Sequence, residues 1–163
     1  MSSTEQSYVY EKAHANGRTD IAADVLRVST GGQAKALSHR IYTSTEWENV
    51  NEKEMKEILM EKAIQIPEVG DILMNSGTKL IAEAVQSEEK WTCGLSKKAA
   101  THTSPSHWPG QNRLGHLWME IREELKEQDD DGFTKYESKK RKASSNHHDT
   151  PVAQRPKPSN SPP

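Results

Sequence analysis

Apolar residues recur at helical spacing along most of this chain. Ser2 and Glu5 stand at capping-box spacing, Val9 and Ala13 follow Glu5 at i+4 and i+8, and Asn16-Gly17 can close the turn. This predicts a helix over about residues 4–16. A second helix is expected over about 20–28, with Ile21, Val25 and Leu26 on one face before the Thr30-Gly31-Gly32 break. A third carries Ala34, Leu37 and Ile41. Thr45 and Glu48 repeat the capping-box spacing ahead of a longer helix bearing Val50, Met55, Ile58, Leu59 and Ala63, which Pro67 ends or follows with a new start. Val69, Ile72 and Leu73 make a short amphipathic helix closed by Asn75-Ser76-Gly77.

After Gly77 the period changes. Lys79–Val85 alternates well enough for a strand, and Lys90–Leu95 is rich in strand formers, so the two are expected to pair. Residues 96–111 read as a long loop with Thr, Ser, His, Pro105, Pro109 and Gly110. Leu114, Leu117, Trp118, Ile121 and Leu125 then form a helical stripe, on which Trp118 is a core residue. From residue 129 onward the stripe is gone. The expected fold class is therefore α+β, mainly helical with a small β component, in one domain over 1–128.

Composition separates that domain from its tail. Residues 1–132 carry 15 Lys and Arg against 22 Asp and Glu, whereas residues 133–163 carry 7 against 2 and hold five of the eight prolines. Such a segment buries too little apolar surface to offset chain entropy, so 129–163 is expected to be a disordered basic tail. Its Lys139-Lys140-Arg141-Lys142 run has the composition of a nuclear signal or nucleic-acid arm, or of a solvated tail. The lone Cys93 permits no intrachain disulfide and fits a reducing compartment. The N-terminus lacks the pattern of a signal peptide, and no stretch reaches the roughly 18 apolar residues of a membrane helix. An intracellular protein, cytoplasmic or nuclear, is expected. The scattered histidines and single cysteine offer no zinc spacing, and no Walker or dinucleotide glycine pattern occurs, so neither metal nor cofactor is expected.

Several residues have side chains suited to catalysis or ligand binding. Glu5 and Lys12 lie seven apart, on one helical face with Tyr8 beside them, and a carboxylate with an amine can share acid, base or Schiff-base work. The plainer reading is a helix-start acid and a solvated lysine. Lys35 and Arg40 follow the Thr-Gly-Gly turn, where a helix start and basic side chains would suit a phosphate, or simply face solvent. Asn112, where loop becomes helix, can cap the helix or help bind an anion. Trp47, Trp91 and Trp108 offer flat faces for a base.

Five segments in order carry a family resemblance. They are Glu5-Gln-Ser-Tyr-Val-Tyr-Glu-Lys-Ala13; Thr30–Ile41 with Trp47 after it; Met55–Glu83, ending in a Ser-Gly turn and a Glu-Ala pair; Trp91-Thr-Cys-Gly-Leu95; and Trp108–Gly115 with Met119–Leu125. Together they resemble the NADAR (YbiA-like) domain family over roughly residues 3–126, without the opening strands and Ser-Asn-Phe element that precede the Glu-Gln helix there. The resemblance implies cleavage of an N-glycosidic bond in ADP-ribosylated guanine, free or in nucleic acid, or in a phosphorylated ribosylamine. It implies Glu5 and Lys12 as chemical groups and Trp47 and Trp91 as pocket walls. Near Trp91 the family usually has Asp three residues earlier and Gly directly after; this chain has Glu88 and Thr92, which makes Glu88 the third catalytic candidate. Two other readings stay open: a non-catalytic module that binds ADP-ribose or nucleic acid, and a nuclear interaction protein acting through its tail. Oligomeric state is not legible.

Overall fold

The first helix begins where a hydroxyl can cap it: Ser3 accepts the Gln6 N–H at 3.2 Å, one residue later than the spacing of Ser2 and Glu5 predicts. In the computed structural model, which describes residues 3–86 and 89–129, this helix is α1, Thr4–Ala15. It buries Gln6, Val9 and Ala13 and ends at Asn16 and the left-handed Gly17. Helices α2 (Thr19–Arg27) and α3 (Gly31–Ser38) pack on it. Ile21, Ala22, Val25, Ala34 and Ile41 join Val9 and Ala13 in a first apolar cluster. Leu26, expected on that face, is exposed, because at 100° per residue the stripe through Ile21, Ala22 and Val25 leaves it outside. The Gln6 amide crosses to α2, donating to the carbonyls of Val25 (3.3 Å) and Val28 (2.7 Å), which otherwise lack partners at a helix end.

Helix α4 (Thr45–Gln65) is capped by Ser44, whose hydroxyl accepts the Trp47 N–H, rather than by Thr45. Its buried stripe runs Trp47, Asn51, Met55, Leu59 and Ala63 at four-residue steps, which turns Val50 outward. Pro67 opens α5 (Pro67–Asn75), in which Leu73 is buried and Ile72 exposed. Leu73, Met55, Leu59, Ala63, Leu117 and Ile121 form a second cluster, with Trp118 and Trp91 packed against it. The loop expected over 96–111 contains α6 (Lys97–His102) and a 3₁₀ turn, Pro105–His107, before α7 (Arg113–Asp129).

The expected strand pair does not form: the domain is mainly helical, as expected, but no strand, and so no small β component, occurs among the described residues. The carbonyls of Lys90, Trp91, Thr92 and Cys93 accept N–H groups from Arg113, Leu114, Asn112 and Gly110 at 2.8–3.1 Å. The segment 81–83 is bonded mostly by a side chain: Asn112 Oδ1 accepts the Glu83 N–H and Asn112 Nδ2 donates to the Ile81 carbonyl, both at 2.9 Å. One ladder-like bond remains, from Cys93 N–H to the Glu83 carbonyl at 2.9 Å. Backbone groups that a hairpin would pair are thus satisfied from the start of α7.

The elements up to Lys126 form one compact unit. The expected disordered tail and its Lys139–Lys142 run fall on residues 130–163, outside the described residues, apart from Asp129, which ends α7. No helix among the described residues is long and apolar enough to cross a membrane.

Candidate functional site

A cavity of about 730 Å³ lies between the two apolar clusters, with walls from α1, α3, α4 and the segments 83–85 and 89–92. That volume accommodates a nucleotide-sized ligand. Its floor is aromatic. The Tyr8 ring packs 5.2 Å from Trp47 in a tilted arrangement and 5.7 Å from Trp91 edge-on, centroid to centroid. Asn16 helps fix this geometry: its Nδ2 donates to the Lys12 carbonyl at 2.7 Å while its Oδ1 accepts the Ser44 N–H at 2.9 Å, tying the end of α1 to the start of α4.

Glu5, Lys12 and Lys35 stand on the α1–α3 side. Gly31 eases the approach of Glu5 to α3: a Cβ there would lie 3.1 Å from Glu5 Cβ and 3.3 Å from Ser3 Oγ, a tight fit. Burial lowers the Lys12 ammonium below the ordinary lysine value of 10.5, with Glu48 partly opposing the shift.

On the other side Glu83, Glu89, Lys90 and Thr92 line the wall with Trp91. The Lys90 ammonium donates to Asn51 Oδ1 at 2.8 Å, stands 3.6 Å from Glu52 Oε1, and lies 5.2 Å from the centre of the Trp91 ring. Because an ammonium only donates, it fixes the Asn51 amide, whose Nδ2 then donates to Glu48 Oε2 at 3.1 Å. Arg113 donates to Glu52 at 2.7 Å and holds that carboxyl below its usual range. Thr92 fits its wall: its hydroxyl donates to the Val85 carbonyl at 2.9 Å and accepts the Gly94 N–H at 3.0 Å.

Six of the ten sequence-derived candidates therefore share one cavity: Glu5, Tyr8, Lys12, Lys35, Trp47 and Trp91. Arg40 does not line it; it is exposed, 4.0 Å from Asp24. The helix start before Lys35 is occupied by a capping box, in which Thr30 Oγ1 accepts the Gln33 N–H and Gln33 Oε1 accepts those of Ser29 and Thr30. Asn112 is buried outside the cavity lining, with both amide atoms bonded to backbone. The first N–H groups of α7 go to the Lys90 and Trp91 carbonyls, so neither a side-chain cap by Asn112 nor an anion site at those amides is formed. Trp108 donates its indole N–H to the Thr103 carbonyl and holds the loop. Glu88 lies outside the described residues. Sequence reading passed over Asn51, Glu48, Glu83 and Lys90. Asn51 had a legible signal, a polar residue at a step of an otherwise apolar stripe. Among the described residues no cluster of His, Cys, Asp and Glu could hold a metal ion.

The chain is similar to several known proteins. N-glycosidase R617 of Acanthamoeba polyphaga mimivirus is 31% identical over 124 residues, which cover 75% of this chain and 73% of that protein. Protein irg-1 of Caenorhabditis elegans is 28% identical over 126 residues, 75% of this chain and 59% of its own length. The NMR structure of the Escherichia coli protein YbiA has the same fold, with a TM-score of 0.64 at 24% identity, over 78% of this chain and 69% of that one. The NADAR domain model matches residues 1–126, and the chain belongs to the NADAR domain family.

Proposed function

We propose that this protein hydrolyses an N-glycosidic bond of a ribosyl compound, in ADP-ribosylated guanine or a phosphorylated ribosylamine. The observation that carries the reading is the meeting of Glu5 and Lys12 in one cavity floored by Tyr8, Trp47 and Trp91. Relatives named N-glycosidases support the bond type. Breaking such a bond passes through an oxocarbenium-like sugar, which a carboxylate stabilises while an acid protonates the departing nitrogen. Lys12 gives its proton to that nitrogen as the C1–N bond breaks. Water then forms the C1–O bond and loses a proton to Glu5, and solvent returns the proton from Glu5 to Lys12. Lys35 faces the phosphate of the sugar, and the aromatic floor holds the planar leaving group.

The pH profile tests this assignment. Lys12 must be protonated to act as the acid, so kcat/KM falls as pH rises through its pKa in the folded protein. Burial has lowered that pKa, so the basic limb lies below 10.5. Lys12→Arg keeps the charge but holds its proton at all working pH values, so the limb should vanish and turnover drop by about 10²-fold or more. A limb that persists unchanged in Lys12→Arg would remove Lys12 from the proton transfer.

A further inference from the structure

Glu83 is held on both sides of its backbone. Its N–H is donated to Asn112 Oδ1 and its carbonyl accepts the Cys93 N–H, each at 2.9 Å. The anchor is specialised. Asn112 has φ +52°, a left-handed conformation uncommon outside glycine. Gly115 leaves room for the Asn112 amide, since a Cβ there would lie 2.5 Å from Nδ2 and 2.7 Å from Oδ1. Gly110 and Gly94 leave room for each other's backbone in the adjoining turn. One uncommon backbone conformation, with three close approaches that glycine permits beside it, argues that the placement of this segment matters to function.

What the segment places is a carboxylate. Glu83 lines the cavity beside Val85, Trp91 and Thr92. Glu48 is bonded to Asn51, and Glu52 to Arg113. Among the described residues, the Glu83 carboxylate makes no hydrogen bond or ion pair. An ionised carboxylate only accepts, and its two oxygens match two adjacent N–H donors in one plane. Next to it, Trp91 is part of the floor on which a planar ring can lie.

We propose that Glu83 is the specificity-determining residue of the cavity, accepting paired N–H groups from the edge of an amino-bearing heterocyclic leaving group. The inference rests on the glycosidase reading for the words leaving group, whereas the recognition itself needs no turnover. That allows a test by binding alone. Guanosine and inosine 5′-monophosphates differ only in the 2-amino group. Titrated calorimetrically into the full chain, the guanine nucleotide should bind about 10-fold or more tightly, the loss expected when one hydrogen bond to a charged group is removed. In Glu83→Gln, which keeps the side chain's size and the pinned backbone, that preference should shrink to within about two-fold. Equal binding of the two nucleotides by the wild-type chain, or no binding of either, overturns the inference whatever the variant does. So does a preference that survives in Glu83→Gln. Preference lost in the variant while the wild-type chain hydrolyses nothing would uphold Glu83 and defeat the glycosidase reading, so the two fail separately.

Discussion

Replacing Glu5 by Gln should reduce N-glycosidic turnover by about 10²–10⁴-fold while leaving the fold intact. The substitution keeps the size and shape of the side chain and removes only its charge and its capacity to accept a proton. Both are needed if the carboxylate stabilises a cationic C1 and takes a proton from the attacking water. Glu5 is exposed at the first turn of α1, where a negative charge contributes about 0.3–1 kcal/mol against the helix dipole. A melting curve close to that of the wild-type chain, together with collapsed turnover, is the expected pair of results. Unchanged turnover would take Glu5 out of the mechanism and leave it as a helix-start acid packed against Gly31.

The largest effect on stability is expected at Gly115. Residue 115 sits inside α7, where alanine in place of glycine ordinarily stabilises by about 1 kcal/mol. Here the sign should reverse. An added Cβ would overlap the Ile81 carbonyl oxygen and press on both atoms of the Asn112 amide. Overpacking costs about 1–3 kcal/mol, and each buried hydrogen bond broken without replacement adds about 1–3 kcal/mol. Gly115→Ala should therefore lower stability by roughly 3 kcal/mol or more, seen as a melting point reduced by about 10 °C. Because Asn112 pins Glu83, guanine nucleotide binding should weaken in the same variant. A melting point at or above the wild-type value would show that the start of α7 can shift without loss, and that the anchor is not rigid.

The parts of the site that sequence reading found are those written locally. Glu5, Tyr8 and Lys12 fall on one helical face at spacings of three and four, and that face alone brings them together. Trp47 and Trp91 entered through family resemblance, since nothing in their own neighbourhoods says that Tyr8 will lie between them. Apart from the polar step that marks Asn51 on its stripe, the roles of the residues missed are set by distant partners. Glu83 is held by a side chain 29 positions away, and Asn51 is oriented by a lysine 39 positions away. The strand reading failed for the same reason. Lys79–Val85 and Lys90–Leu95 have strand-like composition, yet their backbone groups are bonded largely by residues 110–114. Pattern reports which residues favour an extended chain; it does not report which donors will reach them.

The central claim, that the cavity breaks an N-glycosidic bond, is tested most directly by product release. The purified chain would be incubated with an ADP-ribosylated guanine and, separately, with a phosphorylated ribosylamine, and the free base or amine and the free sugar followed by mass spectrometry. Release from at least one of the two, at a rate well above the uncatalysed background, is the predicted result. No release from either, by a chain that melts cooperatively and is stabilised by ADP-ribose, would contradict it. The cavity would then belong to a module that binds such a ligand without cleaving it.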